Sequence, residues 1–160
     1  MTGAIPFEQI EVGQHWHSEG RTLTEAELAL SCVRTTDWHP IHADEEFAKM
    51  TPLGRRIFHC TFGIAIAFGM ATRVPELGDT VIAATGLSEW KYLAPLFMCD
   101  TVHVEVEIAG KRVTSDGRRG VIGRRLRLHK HTGEVAQEGT VDTLVRIKTP
   151  AGTGDRRVVP

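Results

Sequence analysis

From Val102 onward the chain alternates: Val102, Val104, Val106 and Ile108 are apolar, while His103, Glu105 and Glu107 between them are polar. A period of two is the pattern of a strand with one buried face. After a turn at Ser115, Asp116 and Gly117 the alternation resumes over Val121 to His131, with Leu126 and Leu128 set against Arg125 and Arg127. A second turn near Thr132 and Gly133 leads into Val135 to Ile147. Val81 to Leu93 forms a fourth long strand, and His15 to Leu23 is expected as a fifth.

The first half of the chain carries helix signals instead. Thr24 with Glu27 three residues on is a capping box, which predicts a helix from about Glu25 to Arg34. Asp44 is placed to cap a short helix through Phe47 and Met50 that stops before Pro52. A longer helix is expected from about Cys60 to Val74, ending ahead of Pro75 and Gly78. Apolar side chains surround its axis almost completely, as in a helix buried on most faces. One very apolar helix with a run of antiparallel strands predicts an α+β fold, a sheet rolled around a central helix.

The 160 residues suit one domain, expected over residues 5–149, with a disordered tail from Pro150 to Pro160. Hydrophobic residues at 41% and charged residues at 24% match an ordinary folded domain and exclude disorder or a disulfide scaffold. The net charge of -1 leaves no global field to draw the chain to nucleic acid or an anionic membrane, so neither is expected as a partner. Its most apolar window, Ile57 to Met70, is shorter than the roughly 20 residues a membrane helix needs. Cys32, Cys60 and Cys99 form no CxxC pair, and Met1 to Gln14 lacks a basic stretch followed by an apolar run. A cytoplasmic, reducing location is therefore expected.

Candidate chemistry concentrates in Asp37-Trp38-His39-Pro40-Ile41-His42-Ala43-Asp44, between two predicted helices. Pro40 disfavours a helical conformation at His39 and fixes its own φ, so the segment reads as a rigid bend. Asp37 and His42, held in fixed relation, can keep a water between them, one taking its proton and the other orienting it. A plainer reading makes Asp37 a turn cap and His42 a filler of a half-buried gap. A third makes Asp37, His39, His42 and Asp44 metal ligands, but the bend lacks the spacing of a helical zinc site. His15 with His17, and His129 with His131, read as one-face neighbours on exposed strands.

Taken with Glu45-Glu46-Phe47-Ala48 and Gly54-Arg55-Arg56-Ile57-Phe58-His59-Cys60, that segment resembles the hydratase signature of the MaoC-like family of hot-dog proteins. Tyr92-Leu93-Ala94-Pro95, Asp100-Thr101-Val102, Arg119-Gly120-Val121 and Gly133-Glu134-Val135 follow in the family's order, so the likeness runs from about Phe7 to Lys148. The resemblance implies a hot-dog fold and a homodimer, which would also cover the exposed sheet edges. It implies reversible hydration of trans-2-enoyl-CoA thioesters to (R)-3-hydroxyacyl-CoA, with Asp37 and His42 as the acid/base pair. The backbone N–H of Cys60, at the start of the central helix, would hold the thioester oxygen, where the helix dipole favours negative charge. His59, Thr61 and Phe68 are the expected substrate-binding neighbours. No metal or redox cofactor is expected; coenzyme A enters as part of the substrate.

Three positions depart from the pattern: His39 stands where Asn is usual, Cys60 where Gly is usual, and Phe68 where some relatives have Ser. Readings of another class are an acyl-thioester-binding subunit with weak or no activity beside an active partner, and a hot-dog thioesterase. Cys60 as a nucleophile, with a thiol pKa lowered at the helix start, competes with Cys60 as a small buried filler. The arginines between Lys111 and Lys130 read as a solvated strand face, or as a grip on coenzyme A phosphates. Trp16, Trp38 and Trp90 read as core or pocket wall.

Overall fold

The structure, a computed structural model, describes residues 5–72, 74 and 77–148. The expected tail from Pro150 lies outside the described residues. Six strands form one antiparallel sheet: β1 (His15–His17), β2 (Arg21–Thr22), β3 (Val81–Tyr92), β4 (Thr101–Val113), β5 (Arg119–Lys130) and β6 (Val135–Arg146). Their order is β1-β4-β5-β6-β3, with β2 also paired to β4. The four long strands lie where the sequence placed them, β4 running on past the alternating stretch to Val113.

The expected fifth strand is divided. Ser18 interrupts it because its hydroxyl takes the Val104 N–H (3.0 Å) while its own N–H donates to the Val104 carbonyl (2.9 Å). A side chain thus stands in for a backbone acceptor, and regular pairing resumes only at Arg21 opposite Val102.

Among the described residues, four α-helices fall between β2 and β3: α1 (Glu25–Thr35), α2 (Pro40–Ala43), α3 (Glu45–Lys49) and α4 (Cys60–Ala71). The Thr24–Glu27 capping box is present, and Asp44 caps α3 by accepting the Phe47 N–H at 3.0 Å. α4 ends at Ala71, three residues short of the expected Val74; its capping residue Thr72 still donates its N–H to the Phe68 carbonyl, and its hydroxyl to that of Gly69.

The core forms between α4 and the inner face of the sheet. Val102, Val104 and Val106 of β4, Leu126 and Leu128 of β5 and Val141 of β6 meet Ile66, Ala67, Met70 and Ala71 of α4. Full burial of each aliphatic side chain contributes about 1.5–3 kcal/mol, so this layer dominates the stability. A smaller cluster of Phe7, Ile10, Ile108, Ile122 and Val145 closes the far end of the sheet. α4 is not buried all round as its composition predicts: Thr61, Ala65 and Gly69 are exposed along one stripe. Trp16 and Trp90 pack against the core, whereas Trp38 is exposed. Among the described residues, no helix is long and apolar enough to cross a membrane.

Candidate active site

The expected bend is part bend and part helix. α1 is capped at its C-terminus by Thr36, whose left-handed conformation (φ 58°) is rare for a β-branched residue and reverses the chain into Asp37. Asp37 Oδ1 accepts the His39 N–H at 3.0 Å. His39 is non-helical, as a residue before proline should be, and its Nδ1 accepts the Ile41 N–H at 3.2 Å to cap α2, with Pro40 in the first helical position. An Asn oxygen could accept the same N–H, so His39 preserves the cap that the motif's Asn would supply.

His42, on α2, is turned inward and buried. Its Nδ1–H donates to the Ile57 carbonyl at 2.8 Å, which leaves Nε2 as an acceptor, 3.8 Å from Asp37 Oδ2. Its ring stacks on His59 with centroids 3.8 Å apart. Burial is the chief cause that holds the His42 imidazole below its ordinary pKa, against the opposing bond to Ile57. The Asp37 carboxyl is also held below its usual range, first by the His39 N–H and further by the nearby imidazoles. At neutral pH the pair is a neutral imidazole facing a carboxylate. Two acceptors at 3.8 Å cannot bond directly, but both can accept from one water.

His59 precedes α4, and both of its ring nitrogens are engaged. Nδ1 meets the Ser31 hydroxyl at 2.8 Å, and Nε2–H donates to the Asp37 carbonyl at 2.9 Å. Only 4% exposed, it braces Asp37 rather than facing solvent. Asp37, His42 and His59 offer three ligand atoms within 4.8 Å of one another. A metal could use the Asp37 carboxylate and His42 Nε2 as they stand, but would have to break the His59 bonds to gain a third, so the donor set suits a water better.

Cys60 opens α4, and its N–H is among the four that a helix leaves without an internal partner. The side chain is exposed, not the buried filler that the sequence suggests. A recess of about 200 Å³ adjoins it, lined by Ile57, Phe58, Tyr92, Leu93 and Gln137 among others. Thr61 lies instead on a groove of about 570 Å³ between α1 and α4, with Leu30, Arg34, Phe62 and Ala65. Phe68 is half-buried two turns further along α4, its ring 6.4 Å from that of Trp90.

Motif reading does not find the residue that anchors the start of α4. Gln137 of β6, 3% exposed, donates from Nε2 to the Cys60 carbonyl (3.0 Å) and accepts the Trp90 indole N–H on Oε1 (3.0 Å). The only advance signal is that Gln137 shares the alternation phase of Val141 and Val145 in β6. A Cβ on Gly63 would lie 2.1 Å from Gln137 Nε2.

The family model described as "MaoC like domain" matches residues 8–127. Mesaconyl-CoA hydratase of Cereibacter sphaeroides is 26% identical over 96% of this chain and 45% of its own length. 3-Hydroxybutyryl-CoA dehydratase of Methylorubrum extorquens is 34% identical over 64% of this chain and 63% of its own length. The chain thus spans about half to two thirds of the length of these curated relatives. The solved structure of a monoamine oxidase regulatory protein from Archaeoglobus fulgidus superposes with a TM-score of 0.83 at 29% identity, covering 92% of this chain and 97% of that one. The sheet wrapped on α4 is the hot-dog fold named among its structural neighbours. By the extent of the family match and the agreement of fold, this chain belongs to the MaoC-like domain family.

Proposed function

We propose that this chain catalyses reversible hydration of trans-2-enoyl-CoA thioesters to (R)-3-hydroxyacyl-CoA, with Asp37 and His42 holding the water. The observation that carries the reading is the 3.8 Å gap between His42 Nε2 and Asp37 Oδ2, with the His42 proton fixed on Nδ1. The names of the two curated relatives, a CoA-thioester hydratase and a dehydratase, support the substrate class.

In the hydration direction the thioester oxygen sits at the Cys60 N–H, where the helix dipole stabilises the enolate that forms. The water gives a proton to the acid/base pair as its oxygen bonds the β-carbon. That proton is returned to the α-carbon on the same face, so one water supplies both the hydroxyl and the hydrogen. The pair ends as it began, and the chain's own groups complete the cycle without a redox step or a metal.

The test follows the absorbance of the conjugated enoyl thioester, with crotonyl-CoA and longer enoyl-CoAs. The native chain is expected to consume the band without releasing thiol, whereas Asp37→Asn and His42→Ala lose roughly 10²–10⁴-fold in rate. Cys60→Ser keeps most of the activity, since the backbone N–H survives the change. Thiol release would identify a thioesterase. No consumption of any enoyl-CoA by the native chain would favour a binding subunit, and a dead but folded Cys60→Ser would move the reading to covalent catalysis.

A homodimer belongs to the same proposal. β3 is a sheet-edge strand with Val81, Ile82, Leu87 and Tyr92 all exposed, and a second copy pairing along it would cover them.

A further inference from the structure

The outer face of the sheet carries a second group of histidines that the proposed reaction does not use. Strand alternation sends Val102, Val104 and Val106 inward, so His103 and Glu105 stand on the opposite face. On β1, Trp16 packs into the core while His15 and His17 point outward, their ring centroids 6.2 Å apart. His17 lies directly opposite Glu105 in the β1–β4 register, and its ring centroid is 5.9 Å from that of His103. His103 in turn lies opposite His129 of β5, and these rings stack at 5.1 Å with 8° between their planes. His129, expected beside His131, is turned to this cluster instead, and its Nε2–H donates to Glu105 Oε2 at 3.0 Å. Three strands deliver three imidazoles and one carboxylate to one patch.

Imidazole nitrogen with a carboxylate oxygen is the donor set of zinc and its borderline neighbours. On a tetrahedral zinc ion with bonds of about 2.1 Å, two donor atoms sit roughly 3.4 Å apart. His129 Nε2 and Glu105 Oε2, at 3.0 Å, need open only a few tenths of an ångström for an ion to replace the hydrogen between them. His103, stacked flat on His129, has no nitrogen at that point as it stands and must turn out of the stack to reach it, a movement that the spacing of about 4.5–5.5 Å between directly opposed Cβ atoms puts within side-chain reach. The other Glu105 oxygen is held by Arg127 at 2.9 Å, and Arg127 also grips Glu107 at 2.9 Å. That outer contact fixes the carboxylate in the way partners of metal ligands do.

We propose that His17, His103, His129 and Glu105 form a site for one divalent transition-metal ion of the zinc class, on the face of the sheet opposite α4. The ion would fasten β1, a three-residue strand at the sheet edge, to both β4 and β5.

The test uses the full chain without a histidine tag, stripped by chelator, and titrates zinc alone by calorimetry. One ion per chain is expected in the native protein and in His42→Ala, while His103→Gln combined with His129→Gln weakens binding at least tenfold. Thermal melts check the same point: at a hundredfold excess of zinc over Kd, the native Tm rises by roughly 5–10 °C and the double variant's does not. Should the double variant fail to fold, copper(II) replaces zinc on the His42→Ala chain, and its electron paramagnetic resonance spectrum is expected to show coupling to two or more imidazole nitrogens. Absence of binding by the native chain, binding unchanged in the folded double variant, loss in His42→Ala, or a copper spectrum with one nitrogen or none would each overturn the proposal.

Discussion

The acid/base pair works, in the proposed reaction, only while the His42 imidazole is neutral with Nε2 free. Burial holds its pKa below the ordinary value of about 6.5. The rate kcat/KM should therefore stay level down to pH 6.5 and fall only below it, as protonation removes the acceptor. Stability follows with the same sign. A folded-state pKa below the unfolded one means that the His42 contribution is full above about pH 6.5 and shrinks as pH falls from there toward the folded value. Asp37, lowered chiefly by the His39 N–H, keeps its contribution above the ordinary carboxylate range and loses it as pH falls through its folded value, further into acid. A pH–rate profile whose acid limb is centred at or above pH 7 would contradict the assignment. Asp37 and His42 were legible in the sequence because a proline-bounded motif carries both. Ser31 and the Ile57 carbonyl were not: they reach His59 and His42 from 28 and 15 residues away, through contacts that exist only once the helices have packed.

Among the elements, the start of α4 is where sequence and structure part most usefully. Gly63 reads as a weak point in a helix, yet a Cβ there would fall 2.1 Å from Gln137 Nε2 and 2.4 Å from Cδ. The amide cannot simply swing aside, since Trp90 and the Cys60 carbonyl hold both its ends. Gly63→Ala should thus destabilise the fold by about 1–3 kcal/mol, despite a helix-propensity gain of about 1 kcal/mol. In a Gln137→Ala background the same change should become neutral or stabilising, and denaturant melts of the four proteins would measure the difference. The bend at Asp37 to Asp44 shows a related limit. Pro40 was read as a barrier to helix, which holds for His39, but proline in the first helical position also starts one. The four-residue helix that results is what turns His42 inward.

At the scale of the whole molecule, the order of one apolar helix followed by alternating strands was enough to predict a sheet around a helix. The strand order β1-β4-β5-β6-β3 was not legible, because pairing between β3 and β6 depends on which edges remain after the hairpins form. β3 ends at that edge with its apolar side chains exposed, and if a second copy covers them, Ile82→Lys with Leu87→Lys should convert the dimer to a monomer. Light scattering after size-exclusion chromatography would read the mass directly; an unaltered dimer would place the interface elsewhere. The bonds of His59 have a consequence at this scale as well. Because one imidazole ties Ser31 of α1 to the Asp37 backbone at the threshold of α4, the end of one helix, the acidic loop and the start of another form a single rigid unit. The conformational freedom of that loop is surrendered during folding, so the proposed substrate would meet groups already in place and its binding energy would not be consumed in ordering them. Under the proposed reaction, loosening this brace would lower the turnover rate and the melting temperature together, which makes the Asp37 loop a structural element of the domain as much as an attachment to it.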